Sequence, residues 1–112
     1  MFYESSIAIK KRIKVTSIDE FVKLENLRKL DFIKMDIEGA EIEALTGAVE
    51  TIKFHKPNFA IASYHKIQGE YTYLCIEEIF KGIGYPYKTI FYDDGEIITY
   101  AGDNLTQKIL IE

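Results

Sequence analysis

The sequence predicts an α/β fold in which a mostly parallel sheet ends in an antiparallel hairpin. Three observations carry that expectation. An apolar run at 31–37 ends in acid and turns through Glu38-Gly39 into a helical period. A second apolar run follows at 58–64, so strand, helix and strand alternate. Near the end, two runs rich in β-branched and aromatic residues flank Asp93-Asp94-Gly95, a tight-turn signal.

Taken in order, Ile7, Ile9, Ile13 and Val15 alternate with Ala8, Lys14 and a basic run, which predicts a strand over 7–15 with one polar face. Ser17 is placed to cap a helix, with Glu20 as its capping-box partner and Phe21, Leu24 and Leu27 along it. In the strand at 31–37, Ile33, Met35 and Ile37 share one face, and Phe32, Lys34 and Asp36 the other. Gly39 permits the sharp turn that follows. Ile42, Leu45, Val49 and Ile52 then recur at helical steps, predicting one helix over 40–54. It stops at His55-Lys56-Pro57, because proline disfavours α geometry in the residue before it. His55 suits the negative end of the helix dipole.

Asn58 to Tyr64 is the second strand, and its order relative to the first implies a parallel crossover. Residues 66–70 are expected to be a polar loop. A helix over about 71–82 carries Leu74, Cys75, Ile79 and Phe80, and Gly82 and Gly84 end it. Cys75, the sole cysteine, excludes an intrachain disulfide and is expected in the core. Tyr87 to Tyr92 and Glu96 to Tyr100 form the hairpin, with the tyrosines at 85, 87, 92 and 100 in its packing. Ile109 to Ile111 are a further short strand candidate.

At 112 residues with 47% hydrophobic content, a single domain (1–112) with its own core is expected. A net charge of −4 and a pI near 5.2 argue against a nucleic-acid partner. No run reaches membrane-span length and Met1 to Glu4 lack a signal-peptide pattern, so a cytoplasmic protein without a membrane partner is expected.

Chemistry concentrates at the acidic corner. Asp36, Glu38 and Glu41 gather where a strand ends, and open α/β sheets bind ligands there. Carboxylates this close repel unless a cation, a donor or a raised pKa compensates. The alternative reading has Glu38 and Glu41 serving only the helix dipole. Asp36 fits that alternative less well, since Asp is depleted in strands. His65 directly follows the second strand, which brings it near Asp36 across a parallel pair. It is either a general base or a loop histidine bonded to a carbonyl. Asp36, Glu38, Glu41 and His65 also have the ligand chemistry for Mg²⁺ or Mn²⁺, but spacing alone does not bring their atoms together, and no metal is assigned.

The run Lys34-Met35-Asp36-Ile37-Glu38-Gly39-Ala40-Glu41, followed by Leu45 and Gly47-Ala48, resembles the signature of the FkbM-type methyltransferases. The resemblance continues through Lys56-Pro57, the strand at 58–63 and Tyr64-His65-Lys66, and extends from about Val15 to Tyr100. It implies a Rossmann-like class I methyltransferase fold of three layers, of which this chain holds the carboxyl-terminal half. It also implies S-adenosylmethionine as cofactor and a hydroxyl of a sugar or small molecule as acceptor. In that reading Asp36 and His65 are catalytic; Asp36, Glu38 and Gly39 bind the cofactor; Glu41, Tyr64 and Lys66 bind the substrate.

The glycine-rich first turn of such enzymes has no counterpart here. The single Gly-x-Gly, Gly82-Ile83-Gly84, ends a helix. The strand at 31–37 should therefore be a sheet edge, covered by a second copy of the chain or by a complementary amino-terminal half. A non-catalytic α/β module is the competing reading. A metal-dependent hydrolase fits the carboxylates but not the motif.

Overall fold

The computed structural model describes residues 2–4, 12–14 and 16–104. The first pair of strands, β1 (Phe2–Glu4) and β2 (Arg12–Lys14), forms an antiparallel ribbon. Part of the strand expected at 7–15 is thus present, though most of it and the candidate strand at 109–111 lie outside the described residues. Strand β1 was not among the expected elements.

Helix α1 (Ile18–Leu24) begins where Ser17 Oγ accepts the Glu20 N–H, as the capping signal required. Glu20 itself accepts a bond from Thr16 Oγ1 instead of closing the box. Strand β3 (Phe32–Met35) leads into α2 (Glu41–Thr46) and α3 (Val49–His55), and Lys56 ends α3 in left-handed geometry ahead of Pro57. Strand β4 (Asn58–Ala62) follows. After it come a small hairpin of β5 (Lys66–Ile67) and β6 (Glu70–Tyr71), helix α4 (Thr72–Gly82), and the closing strands β7 (Tyr87–Phe91) and β8 (Ile97–Ala101).

The main sheet has the order β3-β4-β8-β7. The β3–β4 pairing is parallel, and β8 runs antiparallel to both its neighbours, β4 and β7. The sheet is thus mixed: β3, β4 and β7 run one way and β8 alone the other, with the expected closing hairpin of β7 and β8 antiparallel. The reason is the placement of β8, which slots between β4 and β7 and so makes two of the three pairings antiparallel. Strand β3 stands at one edge, as expected.

One core holds these elements together. Met35, Phe59, Ile61 and Ala101 from the sheet meet Leu45, Ala48, Ile52, Ile76 and Phe80 from the helices, with Ile18 of α1 against them. Cross-strand partners share a face, so Phe59 opposite Ala101 puts both toward the helices. On the other face Phe32 is 48% exposed. Helix α4 turns Thr72, Ile76 and Phe80 inward at four-residue steps. That same period places Cys75 on the exposed side, which corrects the expectation that it is core.

The single helix expected over 40–54 is two. The apolar period does run through both, but Gly47 interrupts the backbone ladder. Its carbonyl accepts the Asp19 N–H at 2.9 Å, and a Cβ there would sit 3.0 Å from Ser17 Cβ. Asp19 then restarts the helix from across the chain. Its carboxylate accepts the N–H groups of Glu50 and Thr51 and the Thr51 hydroxyl, at 3.1, 2.8 and 2.6 Å. These are first-turn donors of α3, which has no capping side chain of its own.

Partial burial works to raise the Asp19 pKa, but the bonds from the Thr51 hydroxyl and from the Thr51 and Glu50 amides outweigh it and leave the carboxyl below its ordinary value. A depressed folded-state pKa stabilises above the unfolded value and is lost as pH falls through the folded one. Asp19→Ala should therefore cost about 1 kcal/mol in urea unfolding at pH 7. The gap from the parent should close on acidification below about pH 4. An equal gap at both pH values would contradict the cap.

The polar loop expected at 66–70 is the β5–β6 hairpin. Its turn, Gln68-Gly69, has positive φ at both residues, the geometry that two-residue hairpins favour. Among the described residues, no helix is long and apolar enough to cross a membrane.

Candidate functional site at the strand ends

Strands β3 and β4 run parallel, so their carboxyl ends emerge side by side. Asp36 is the residue after β3. The chain then turns through Glu38 and Gly39, at φ of 56° and 96°, and the Ala40 N–H bonds back to the Ile37 carbonyl. Positive φ at Glu38 is uncommon for a residue with a side chain and marks a turn held by its surroundings. Gly39 tolerates it, and a Cβ there would touch only His65 Cβ, at 3.9 Å.

This turn delivers Glu41, the first residue of α2, into the interior with 0% exposure. One of its oxygens, Oε2, accepts the Ile37 N–H at 2.8 Å, which satisfies the amide just past the end of β3. The other, Oε1, is buried without a hydrogen-bond partner.

His65 arrives from β4. Ser63 anchors the approach: its N–H donates to the Ile97 carbonyl, and its hydroxyl pairs with that of Thr99 at 2.9 Å. The His65 carbonyl accepts the Thr72 N–H at 2.8 Å, so α4 fixes the backbone on the far side. The imidazole is 13% exposed, with Nδ1 3.7 Å from Glu41 Oε1 and Nε2 3.7 Å from Glu38 Oε2. Those spans exceed hydrogen-bond length, and both ring nitrogens are buried without a partner. Asp36, Glu41 and His65 each offer a ligand atom within 4.8 Å of the others.

The structure thus brings together Asp36, Glu38, Gly39, Glu41 and His65. Tyr64 joins them by stacking on His65, ring centres 4.2 Å apart. The charge of Asp36, ahead of burial and of Glu38, pushes the Tyr64 phenol up from its ordinary value, so both face a common region. Lys66 is exposed and lies over the Tyr71 ring at 4.8 Å; among the described residues it pairs with none of the carboxylates. Sequence reasoning missed Thr72, whose Oγ1 is buried and unpartnered next to His65 in the backbone ladder. Nothing in its local sequence signals that position.

Two clefts lie away from the strand-end cluster. One of about 620 Å³ runs between Ile52, Lys56 and Tyr85, and another of about 550 Å³ passes Ile18, Ile37, Ala40 and Ala44 behind the corner. Among the described residues, the buried side-chain polar atoms that lack partners, on Glu41, His65 and Thr72, gather at the strand ends instead.

Residues 2–101 match the methyltransferase FkbM domain. The chain belongs to the FkbM methyltransferase family. The crystal structure of methyltransferase FkbM from Methylobacillus flagellatus KT is similar, with a TM-score of 0.65 and 29% sequence identity. The alignment covers 89% of this chain and 25% of that one, so this FkbM chain spans a quarter of its relative's length. No curated protein matches it. The Lys34–Glu41 run that carries the family resemblance is also the strand, turn and helix start that build the site.

Proposed function

We propose that this chain is the carboxyl-terminal portion of an S-adenosylmethionine-dependent O-methyltransferase domain of Rossmann-like, class I type. Its acceptor is a hydroxyl of a sugar or small molecule. The observation that carries the reading is the meeting of Asp36, Glu41 and His65 beyond two parallel strands, the position at which open α/β sheets take their ligands.

The donor set fits the cationic end of the cofactor. Asp36 and Glu38 are exposed carboxylates at the strand end, with no lysine or arginine nitrogen within 4.0 Å among the described residues. S-adenosylmethionine supplies a methyl group activated by a positive sulfonium. Asp36 and Glu38 provide the negative field that favours such a cation, and the Gly39 turn keeps backbone close to it. Tyr64 faces the acceptor side and Lys66 at the rim adds a donor for its polar groups, while Glu41, fully buried, stands behind them rather than in contact with the acceptor. His65 takes the hydroxyl proton on a ring nitrogen, and Asp36 offsets the charge that the imidazole gains.

The edge position of β3 supports a further part of the reading. Phe32 and Ile37 are 48% and 45% exposed there, and among the described residues the outer edge of β3 has no partner strand. A second copy or a complementary amino-terminal half would pair with this edge, and the complementary half would also supply the glycine-rich turn.

Ultraviolet cross-linking of methyl-labelled S-adenosylmethionine to the chain tests the site directly. Label is expected on peptides that contain residues 36–41 or 64–66. Label confined to other peptides, or none above an excess-competitor control, would overturn the assignment.

A further inference from the structure

We propose that Asp36, Glu41 and His65 bind one divalent first-row cation, with Mn²⁺ as the probe of choice. The argument begins with atoms that have no partner. Glu41 is completely buried, yet its Oε1 accepts no hydrogen bond, and it faces His65 Nδ1, which is equally unpartnered. Buried polar atoms without partners are rare and call for a water or an ion. A buried carboxylate in particular needs a compensating charge. No lysine or arginine nitrogen supplies one within 4.0 Å among the described residues.

The spacing suits a metal better than a direct bond. At 3.7 Å, Nδ1 and Oε1 are too far apart to share a proton. A cation placed about 2.1 Å from each would bridge them at an open angle. Asp36 brings the third ligand atom within 4.8 Å of both. Two carboxylates and one imidazole form a mixed hard and borderline set, which suits Mn²⁺ more than Ca²⁺ or Cu²⁺. Three protein ligands leave positions open for water or a substrate oxygen.

Part of an outer shell is present as well. Metal-binding side chains are normally held by their second polar atom. Glu41 Oε2 is fixed by the Ile37 N–H at 2.8 Å. His65 Nε2 lies 3.7 Å from Glu38 Oε2, so this carboxylate has to close in to accept the Nε2–H when Nδ1 is a ligand. Glu38 is turned there by its own positive φ.

Cation binding does not depend on the methyl-transfer reading, although its catalytic consequence rests on it. A ring nitrogen that holds a cation cannot take a proton, so in the loaded site acidifying the acceptor hydroxyl falls to the metal.

The test is Mn²⁺ titrated into the chelator-treated chain, with free Mn²⁺ followed by electron paramagnetic resonance. Saturable binding of one ion per chain below millimolar is expected. Asp36→Asn, at an exposed side chain that folding does not need, and Glu41→Gln, close in size to the parent, should each weaken it about tenfold or more. Glu78→Gln, on the exposed side of α4, should not change it. Absence of saturable binding, or equal weakening by Glu78→Gln, would overturn the proposal. So would unchanged binding in both site variants with native circular dichroism. S-adenosylmethionine binding measured without Mn²⁺ reports separately on the methyl-transfer reading.

Discussion

Phe59→Ala is expected to destabilise the chain by about 3–5 kcal/mol, the range for truncating a buried phenylalanine. Phe59 has 0% exposure in the central strand β4 and sits at the hub of the aromatic core. Its ring centre lies 5.4 Å from that of Phe80 and 6.2 Å from that of Tyr85. Contacts of this kind add to the area term. The surroundings are poorly able to collapse into the space. Phe80 stacks on Tyr85, and Tyr85 is tied through its hydroxyl to the Pro57 carbonyl. For a domain of this size, the loss should lower the melting temperature by about 12 °C or more. Native stability is itself only about 5–15 kcal/mol, so a large unfolded fraction at 37 °C would be no surprise. Thermal and urea unfolding followed by circular dichroism measure it. A loss below about 1 kcal/mol would mean that Phe59 is not packed as described.

Gly102→Ala is expected to have an effect of similar size for a different reason. Gly102 follows β8 at φ of 113°, a conformation that residues with a Cβ rarely adopt. An added Cβ would overlap Asn58 Oδ1 and lie 2.9 Å from Asn58 Cα. Rotating the amide away would relieve only the first contact; the second is backbone. Backbone strain costs about 1–3 kcal/mol and overpacking costs about as much again. The clash falls where β8 pairs with the start of β4, so the parallel strand that carries His65 would shift with it. The measurement is urea unfolding together with the native-state near-ultraviolet spectrum. A change below about 1 kcal/mol would show that the two strands are not so closely opposed.

Much of this architecture was legible in the residues, and the failures have physical causes. The corner was readable because Gly39 and three acids break an apolar run within a few positions. Helix α4 was readable from its length, but the side Cys75 faces was not: a count of apolar neighbours cannot replace the four-residue step from Thr72 to Ile76 to Phe80. The break between α2 and α3 was hidden because Ile42, Leu45, Val49 and Ile52 keep one period across it. Asp19, more than thirty residues upstream of Thr51, supplies the new cap. The β5–β6 hairpin has strands of two residues, too short for alternation to register. The mixed sheet turned on where β8 inserts, and strand order is a property of packing rather than of any local run.

At the site, the convergence of Asp36, Glu41 and His65 followed from two strands ending together, once those strands were taken as parallel. Two features were not legible. Glu41 looked like any first-turn acid serving a helix dipole, whereas it is fully buried and holds the Ile37 amide. Lys66, adjacent to His65 in sequence, begins a strand and turns to Tyr71. Burial of a charged side chain depends on what closes over it, here with His65 from beyond β4 at 3.7 Å, and no local pattern records that.

Calorimetric titration of S-adenosylmethionine, whose sulfonium Asp36 is assigned to favour, into the purified 112-residue chain tests the central claim most directly. Saturable binding in the micromolar range is predicted, lost in Asp36→Asn without loss of fold. Absence of heat up to millimolar ligand, or binding that Asp36→Asn leaves unchanged, would contradict the assignment of a cofactor site to the ends of β3 and β4.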